Sequence, residues 1–202
     1  MINCLSNVCT HRGHIIHDNK CNRKKMRCEY HGRTFELDGS IDKMPGFEGV
    51  KDFPSETDDL KKVPILEWND FIFTSIQPEI KIDSILKDIG LRLKDFPFEN
   101  ITYSPEHSKI YNLDANWALY CENYLEGFHV PFVHKGLTQD IDYDSYKTIL
   151  IDNGVLQIAK SSDYNEAIEN TDNIYALYYW IFPNLMINIY NWGLSINIIE
   201  PI

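Results

Sequence analysis

The 202-residue chain is 44% hydrophobic and 24% charged, which excludes a disordered or low-complexity protein and suits one domain or two small ones. Its 19 lysines and arginines stand against 30 aspartates and glutamates; a net charge of −11 repels phosphate backbones, so no nucleic-acid partner is expected. No apolar run approaches the roughly 20 residues of a membrane helix, Met1 to Leu5 lacks signal-peptide character, and five cysteines are too few for a disulfide framework, so a reduced, cytoplasmic setting with no membrane partner is expected.

In chain order, the first seventy-odd residues read as short strands and turns punctuated by Gly13, Gly32, Asp38-Gly39 and Pro45-Gly46. Arg33 to Leu37 alternates in polarity and runs into the hairpin signal Asp38-Gly39. Ser55 to Asp59 reads as a solvated loop, and Val63–Leu66 and Phe71–Ser75 as strands joined at Asn69-Asp70. Pro78 closes this all-β region. Ile82, Ile85, Leu86, Ile89 and Leu93 then recur at helical spacing, predicting a helix over Glu79 to Leu93 that ends before Phe96-Pro97. Lys109 to Leu113 is predicted as a strand, and Asp114 as the N-cap of a helix reaching about Gly127. Tyr143 to Ile158 and Ile174 to Ile199 read as strands, the second rich in tyrosine, tryptophan and isoleucine. The expected fold class is α+β: a small β domain, a helical connector and an α+β segment.

Two Cys-His pairs stand out in the first region. Cys9-Thr10-His11-Arg12-Gly13 is followed, with sixteen residues between His11 and Cys28, by Cys28-Glu29-Tyr30-His31-Gly32. Two such pairs in glycine-ended loops can converge on a metal centre, thiolates suiting the iron of a cluster and imidazoles an iron working at higher potential. Two cysteines and two histidines are also a zinc set, but zinc sites usually open with two or more residues between ligands, and one residue separates Cys9 from His11. Cys4, Cys21 and Cys121 read as buried free thiols, and His14 and His17 as surface residues.

The pattern C-x-H-x16-C-x2-H, with the flanks Asn7-Val8 and Tyr30-His31-Gly32, resembles the Rieske [2Fe–2S] domain of the ring-hydroxylating oxygenase α subunits. The resemblance implies that Cys9 and Cys28 bind one iron and that His11 and His31 bind the other. Arg33 stands where that family commonly has tryptophan, a departure that touches packing and partner docking and leaves ligation alone.

A second pair, His129 and His134, lies in Glu122-Asn123-Tyr124-Leu125-Glu126-Gly127-Phe128-His129-Val130-Pro131-Phe132-Val133-His134. On an ideal helix, residues five apart point about 140° apart, poor for chelation, but Gly127 and Pro131 distort the backbone between them. Taken alone, core or surface histidines are the default, and Glu126 and Asn123 suit a polar helix face. E-N-Y-x-E-x-x-H-x-P-x-x-H, however, resembles the mononuclear iron motif of the same α subunits. That implies His129 and His134 as ligands of a non-haem Fe(II), Glu126 as the acidic residue bridging to a Rieske histidine of a neighbouring subunit, and Asn123 as a residue close to the iron. The family's third ligand, an aspartate on a later helix, has no match here, and Asp140, Asp142 and Asp144 read as a solvated loop.

By resemblance, residues 1–77 are a Rieske [2Fe-2S] domain and residues 78–202 a partial START-like helix-grip catalytic domain, truncated at the N- and C-terminal sides respectively, so that the isolated chain should show little or no oxygenase activity. The implied whole is an oxygenase α subunit in a homotrimer. Electrons would come from NAD(P)H through a ferredoxin and/or reductase, and O2 would hydroxylate or dioxygenate a small organic substrate. Glu126 and the flank His134-Lys135-Gly136-Leu137 look more like the choline- or carnitine-type monooxygenases than the naphthalene-type dioxygenases, with aromatic ring hydroxylation left open as the other substrate class. Tyr175, Tyr178, Tyr179, Trp180, Phe182, Tyr190 and Trp192 could contribute to a cage for a quaternary ammonium or simply form an aromatic sheet core. A Rieske-type electron carrier without oxygenase chemistry is the competing class.

Overall fold

Strands of two to four residues, each ended by a turn former, build the first of two compact units, Met1–Glu79 and Ile80–Ile202. The computed structural model describes all 202 residues. Strand β1 (Cys4–Leu5) pairs with β5 (Lys62–Val63); β2 (Met26–Arg27), β3 (Thr34–Phe35) and β4 (Ile41–Lys43) form an antiparallel sheet; β6 (Ile65–Trp68) and β7 (Phe71–Thr74) form a hairpin over Asn69-Asp70. The expected strand Arg33 to Leu37 is cut to Thr34–Phe35 because the β3–β4 register shifts between those two residues. The expected strand Val63–Leu66 splits at Pro64, which has no N–H to give a ladder. The core gathers Cys9, Ile16, Cys28, Phe35 and Leu60, with Leu5, Met26 and Ile41 against it.

The second unit begins with α1 (Asp83–Arg92), which buries Ile85, Leu86 and Ile89, the stripe its sequence spacing predicts. Helix α2 (Trp117–Tyr124) is capped by Asn116, whose side chain accepts the Ala118 N–H at 2.9 Å, and not by Asp114. It ends at Tyr124, short of Gly127, and the chain continues as the short helices α3 (Val130–Val133) and α4 (Lys135–Asp140). The predicted strand at Lys109 to Leu113 does not form: Ile110 is 93% and Tyr111 73% exposed, and a segment without a neighbouring strand makes no ladder.

Five antiparallel strands in sequential order make the large sheet: β8 (Ile141–Ile151), β9 (Gly154–Ser161), β10 (Ile174–Ile181), β11 (Leu185–Tyr190) and β12 (Gly193–Ile198). Asp142 and Asp144, expected in a loop, lie on β8 with exposed side chains, and Asp140 ends α4. The central strands are buried on both faces, so they read as near-continuous apolar runs. Leu177, Tyr179 and Ile181 share one face with Ile187 and Ile189, and the Tyr179 hydroxyl donates to Asp88 of α1 at 2.7 Å. Ala176, Tyr178 and Trp180 share the other face with Gln157, Asn188 and Tyr190.

A Cβ built on Gly154 would lie 2.3 Å from the Trp180 carbonyl oxygen, which the β9–β10 ladder holds in place. Gly154→Ala should therefore destabilise the protein by about 1–3 kcal/mol. Gly90→Ala, on the open side of α1 with no atom near its Cβ, should stabilise it by roughly 0.5–1 kcal/mol. Urea titration of the two variants checks both signs.

Candidate metal sites

The two Cys-His segments adopt the same loop. In the first, the Cys9 N–H donates to the His14 carbonyl (2.8 Å) and the Gly13 N–H to the Cys9 carbonyl (2.9 Å). In the second, the Cys28 N–H donates to the Arg33 carbonyl (2.8 Å) and the Gly32 N–H to the Cys28 carbonyl (3.0 Å). Gly13 and Gly32 close these loops in the left-handed region, at φ 72° and 74°, where a side chain is strained. The identical closure brings both cysteines into the core, 3% and 1% exposed, and stands the His11 and His31 rings edge to face at 4.8 Å.

The electrostatics suit a metal group between the loops. Burial and the adjacent Cys28 thiol push the Cys9 thiol above its ordinary value, against the His11 backbone N–H and the Arg33 charge. A metal binding at this pair would displace the proton that burial keeps on Cys9. Burial, with the charges of His31, Arg33 and Arg12, lowers His11 and favours the neutral ring that a metal needs. The His11 Nδ1 is buried with no hydrogen-bond partner, an uncommon state for a polar atom and one that a metal bond would relieve. Nowhere in the chain are three or more His, Cys, Asp or Glu side chains grouped to hold one ion, so what the loops present is a pair of thiols and a pair of imidazoles. Of the other residues singled out by sequence, His14 is exposed, His17 is half-buried with its Nε2 unpaired, Cys121 is buried, Cys4 is half-buried and Cys21 is exposed, against the expectation of a buried thiol.

Arg33 is 3% exposed, so it is no docking residue on the surface of this unit. Its guanidinium donates to the Thr10 hydroxyl at 2.7 Å and pairs with Asp58 at 2.8 Å. Asp58 lies in a 3₁₀ turn over Glu56–Asp58 with a capping box, where sequence suggested only a solvated loop.

At the second histidine pair, three short helices replace one long one. His129 precedes α3, and His134, at φ −104° and ψ 63°, breaks the chain between α3 and α4. The breaks bring the two rings together at 5.1 Å between centroids, an approach that a continuous helix would not give. Glu126 Oε1 lies 2.5 Å from His129 Nδ1, and its Oε2 accepts the backbone N–H groups of Phe128 and His129. Burial raises the Glu126 carboxyl, but the His129 ring and these N–H groups outweigh it and hold it below the usual carboxylate range. The contact anchors the His129 Nδ1–H and leaves Nε2 for a metal. Asn123 is exposed on α2, and Asp140 accepts a 3.4 Å hydrogen bond from Tyr175.

The seven aromatic residues do not form one cage, since Tyr178 and Tyr179 point to opposite faces of β10. The face bearing Tyr178 carries instead a polar network that sequence reasoning missed. The Tyr124 hydroxyl donates to Asn188 Oδ1 (2.5 Å), Gln157 Nε2 donates to the Tyr124 carbonyl (2.5 Å), and the Tyr146 hydroxyl donates to Gln157 Oε1 (3.0 Å). Gln157 thus satisfies a carbonyl at the end of α2 that the helix itself leaves unpaired. The available signal was a lone amide in each apolar run, Val155-Leu156-Gln157-Ile158 and Met186-Ile187-Asn188-Ile189. Burial pushes the Tyr124, Tyr146 and Tyr178 phenols above the ordinary range. The Trp180 Nε1, buried on this face, has no hydrogen-bond partner, and the Tyr178 hydroxyl lies toward that of Tyr190.

Comparison with known proteins matches residues 1–54 to the Rieske [2Fe-2S] domain and residues 99–202 to the ring hydroxylating alpha subunit (catalytic domain). The chloroplastic choline monooxygenase of Arabidopsis thaliana is 29% identical over 218 residues, covering 100% of this chain and 50% of that protein. The carnitine monooxygenase oxygenase subunit of Escherichia coli K12 is 26% identical, over 94% of this chain and 52% of that protein. The chain therefore spans about half the length of the curated relatives it matches. A solved quaternary ammonium Rieske monooxygenase, described in terms of carnitine oxidation and inter-subunit electron transfer, shares the fold with a TM-score of 0.72 at 21% identity, over 96% of this chain and 54% of that one.

Asn188→Leu, which leaves the Tyr124 hydroxyl only its 3.5 Å contact with the Tyr179 carbonyl, should cost about 1–3 kcal/mol. Adding Tyr124→Phe should recover part of that loss, since neither partner is then left unpaired. Urea denaturation of the single and double variants measures both effects.

Proposed function

We propose that this chain, which belongs to the ring-hydroxylating α-subunit family, holds the electron-entry and oxygen-activating parts of a Rieske oxygenase. The observation that carries this reading is the pair of matched loops, which set two buried thiols together and stand a pair of imidazoles edge to face, one with an orphaned Nδ1. Cys9 and Cys28 would hold one iron of a [2Fe–2S] cluster, His11 and His31 the other, and His129 and His134 a mononuclear Fe(II). When bound, the cluster supplies one-electron transfer and the mononuclear iron supplies O2 activation.

The chain's own residues prepare that chemistry. The Glu126 carboxylate holds the His129 Nδ1 proton and so orients the ring. The Phe128 and His129 N–H groups in turn fix the carboxylate. Glu126 is about one-third exposed, which leaves it accessible to a cluster-site histidine of a second copy; assembly as a homotrimer and electron supply by a ferredoxin or reductase belong to the same proposal. Asn123, exposed one turn earlier on α2, is read as a residue that approaches the iron in the whole protein. The pairing of His129 with Glu126, and the catalytic-domain match over residues 99–202, favour an oxygenase over a bare electron carrier.

For the substrate, the choline and carnitine relatives and the glutamate at position 126 support a quaternary amine over an aromatic ring. Five free cysteines suit a reducing compartment. No helix is long and apolar enough to cross a membrane.

Anaerobic reconstitution with iron and sulfide should give a coloured protein whose reduced form shows a rhombic paramagnetic resonance signal with a mean g below two; a colourless, silent, zinc-loaded protein would refute the cluster. Cys28→Ser should abolish the signal. In the protein extended to the length of its relatives, Glu126→Gln should leave the cluster signal intact and reduce product formation about 10- to 100-fold. Unchanged turnover would remove Glu126 from the proposal.

A further inference from the structure

The most deeply buried charge in the first unit is a cation that the reading above does not use. Arg33 belongs to the second loop, where its carbonyl closes on the Cys28 N–H, yet its side chain reaches the first loop. The residue it reaches, Thr10, stands between Cys9 and His11. The Thr10 hydroxyl accepts from Arg33 at 2.7 Å and donates to the Asp58 carbonyl at 2.6 Å, while Asp58 Oδ1 takes the other arm of the guanidinium at 2.8 Å. Asp58 is fixed in turn by the Ser55 N–H and hydroxyl, both at 3.0 Å on Oδ2. The guanidinium also lies 5.4 Å from the centre of the Phe53 ring, which packs on Phe47, and Phe47 meets His11.

Three segments distant in sequence therefore meet on one guanidinium. Its Nε is buried with no hydrogen-bond partner, and Asp58 is the one carboxylate paired with it. Asp58, with its side chain 20% exposed, is better screened than Arg33 at 3%. The less screened cation of the pair therefore leaves a net positive field at the loops.

We propose that Arg33 is a positioning residue of the cluster site that also sets its potential. It pins Thr10 to Asp58 so that both loops keep one spacing, and its buried positive charge favours the reduced cluster. The second effect follows from charge alone, since one-electron reduction adds a negative charge to the group between the loops. This inference rests on the assignment of a cluster to those loops.

The test is a redox titration of the reconstituted full chain, followed by paramagnetic resonance. Arg33→Met should shift the redox equilibrium about tenfold toward the oxidised form, a fall of about 59 mV for one electron. Asp58→Asn, which removes the counter-charge and leaves the cation, should shift it toward the reduced form. Arg33→Lys should stay closer to the parent than Arg33→Met does. A structural role alone would loosen the site in both Arg33→Met and Asp58→Asn without opposite signs. If Arg33→Met fails to take up the cluster, the direction of the Asp58→Asn shift decides by itself. Shifts of one sign, or none, in cluster-loaded protein overturn the proposal. A parent chain that takes up no cluster refutes the underlying assignment instead, and this inference with it.

Discussion

Cys9 and Cys28 sit side by side in the core of the first unit, packed with Ile16, Phe35 and Leu60. Strands of two to four residues surround them and contribute little ladder energy. What organises the unit is the closure of two equivalent loops, each by two backbone hydrogen bonds and a left-handed glycine. Units of roughly 70–80 residues seldom hold themselves by a hydrophobic core alone and commonly add a metal or cross-link. Thiols aimed inward, an orphaned imidazole nitrogen and a cation bound across the loops all fit one constraint, that the loops keep a fixed distance around the proposed cluster.

The second unit solves positioning differently. A sheet covered on both faces is a rigid floor, and polar side chains fasten helices to it: Tyr179 to Asp88 of α1, and Asn188 and Gln157 to Tyr124 at the end of α2. Five residues beyond that anchored end the chain reaches His129, with Glu126 already seated on its ring. The histidine pair is thus held by breaks in helical structure, and its geometry depends on where α2, α3 and α4 stop.

Features that rest on local pattern were legible in the sequence. The Cys-His loops with their glycines, the buried stripe of α1 and the strands of the large sheet all follow from spacing or periodicity. What escaped depends on tertiary partners. Lys109 to Leu113 looks like a strand but has no strand beside it. Asn116 and not Asp114 caps α2, a choice between two capping residues that local sequence leaves open. Arg33 reads as a change in packing and partner docking until Asp58 and Thr10, far away in the chain, close around it. Gln157 and Asn188 look like isolated amides in apolar strands until α2 brings Tyr124 onto them.

The account turns on two unlike pairs of ligands gathered by two alike loops. Mössbauer spectroscopy of the chain reconstituted with Mössbauer-active iron tests it most directly. After one-electron reduction the account predicts two distinct iron environments of equal area, ferric at the cysteine pair and ferrous at the histidine pair, with both lost in Cys28→Ser. A single iron environment, or an unchanged spectrum after replacement of His11 and His31, would contradict it.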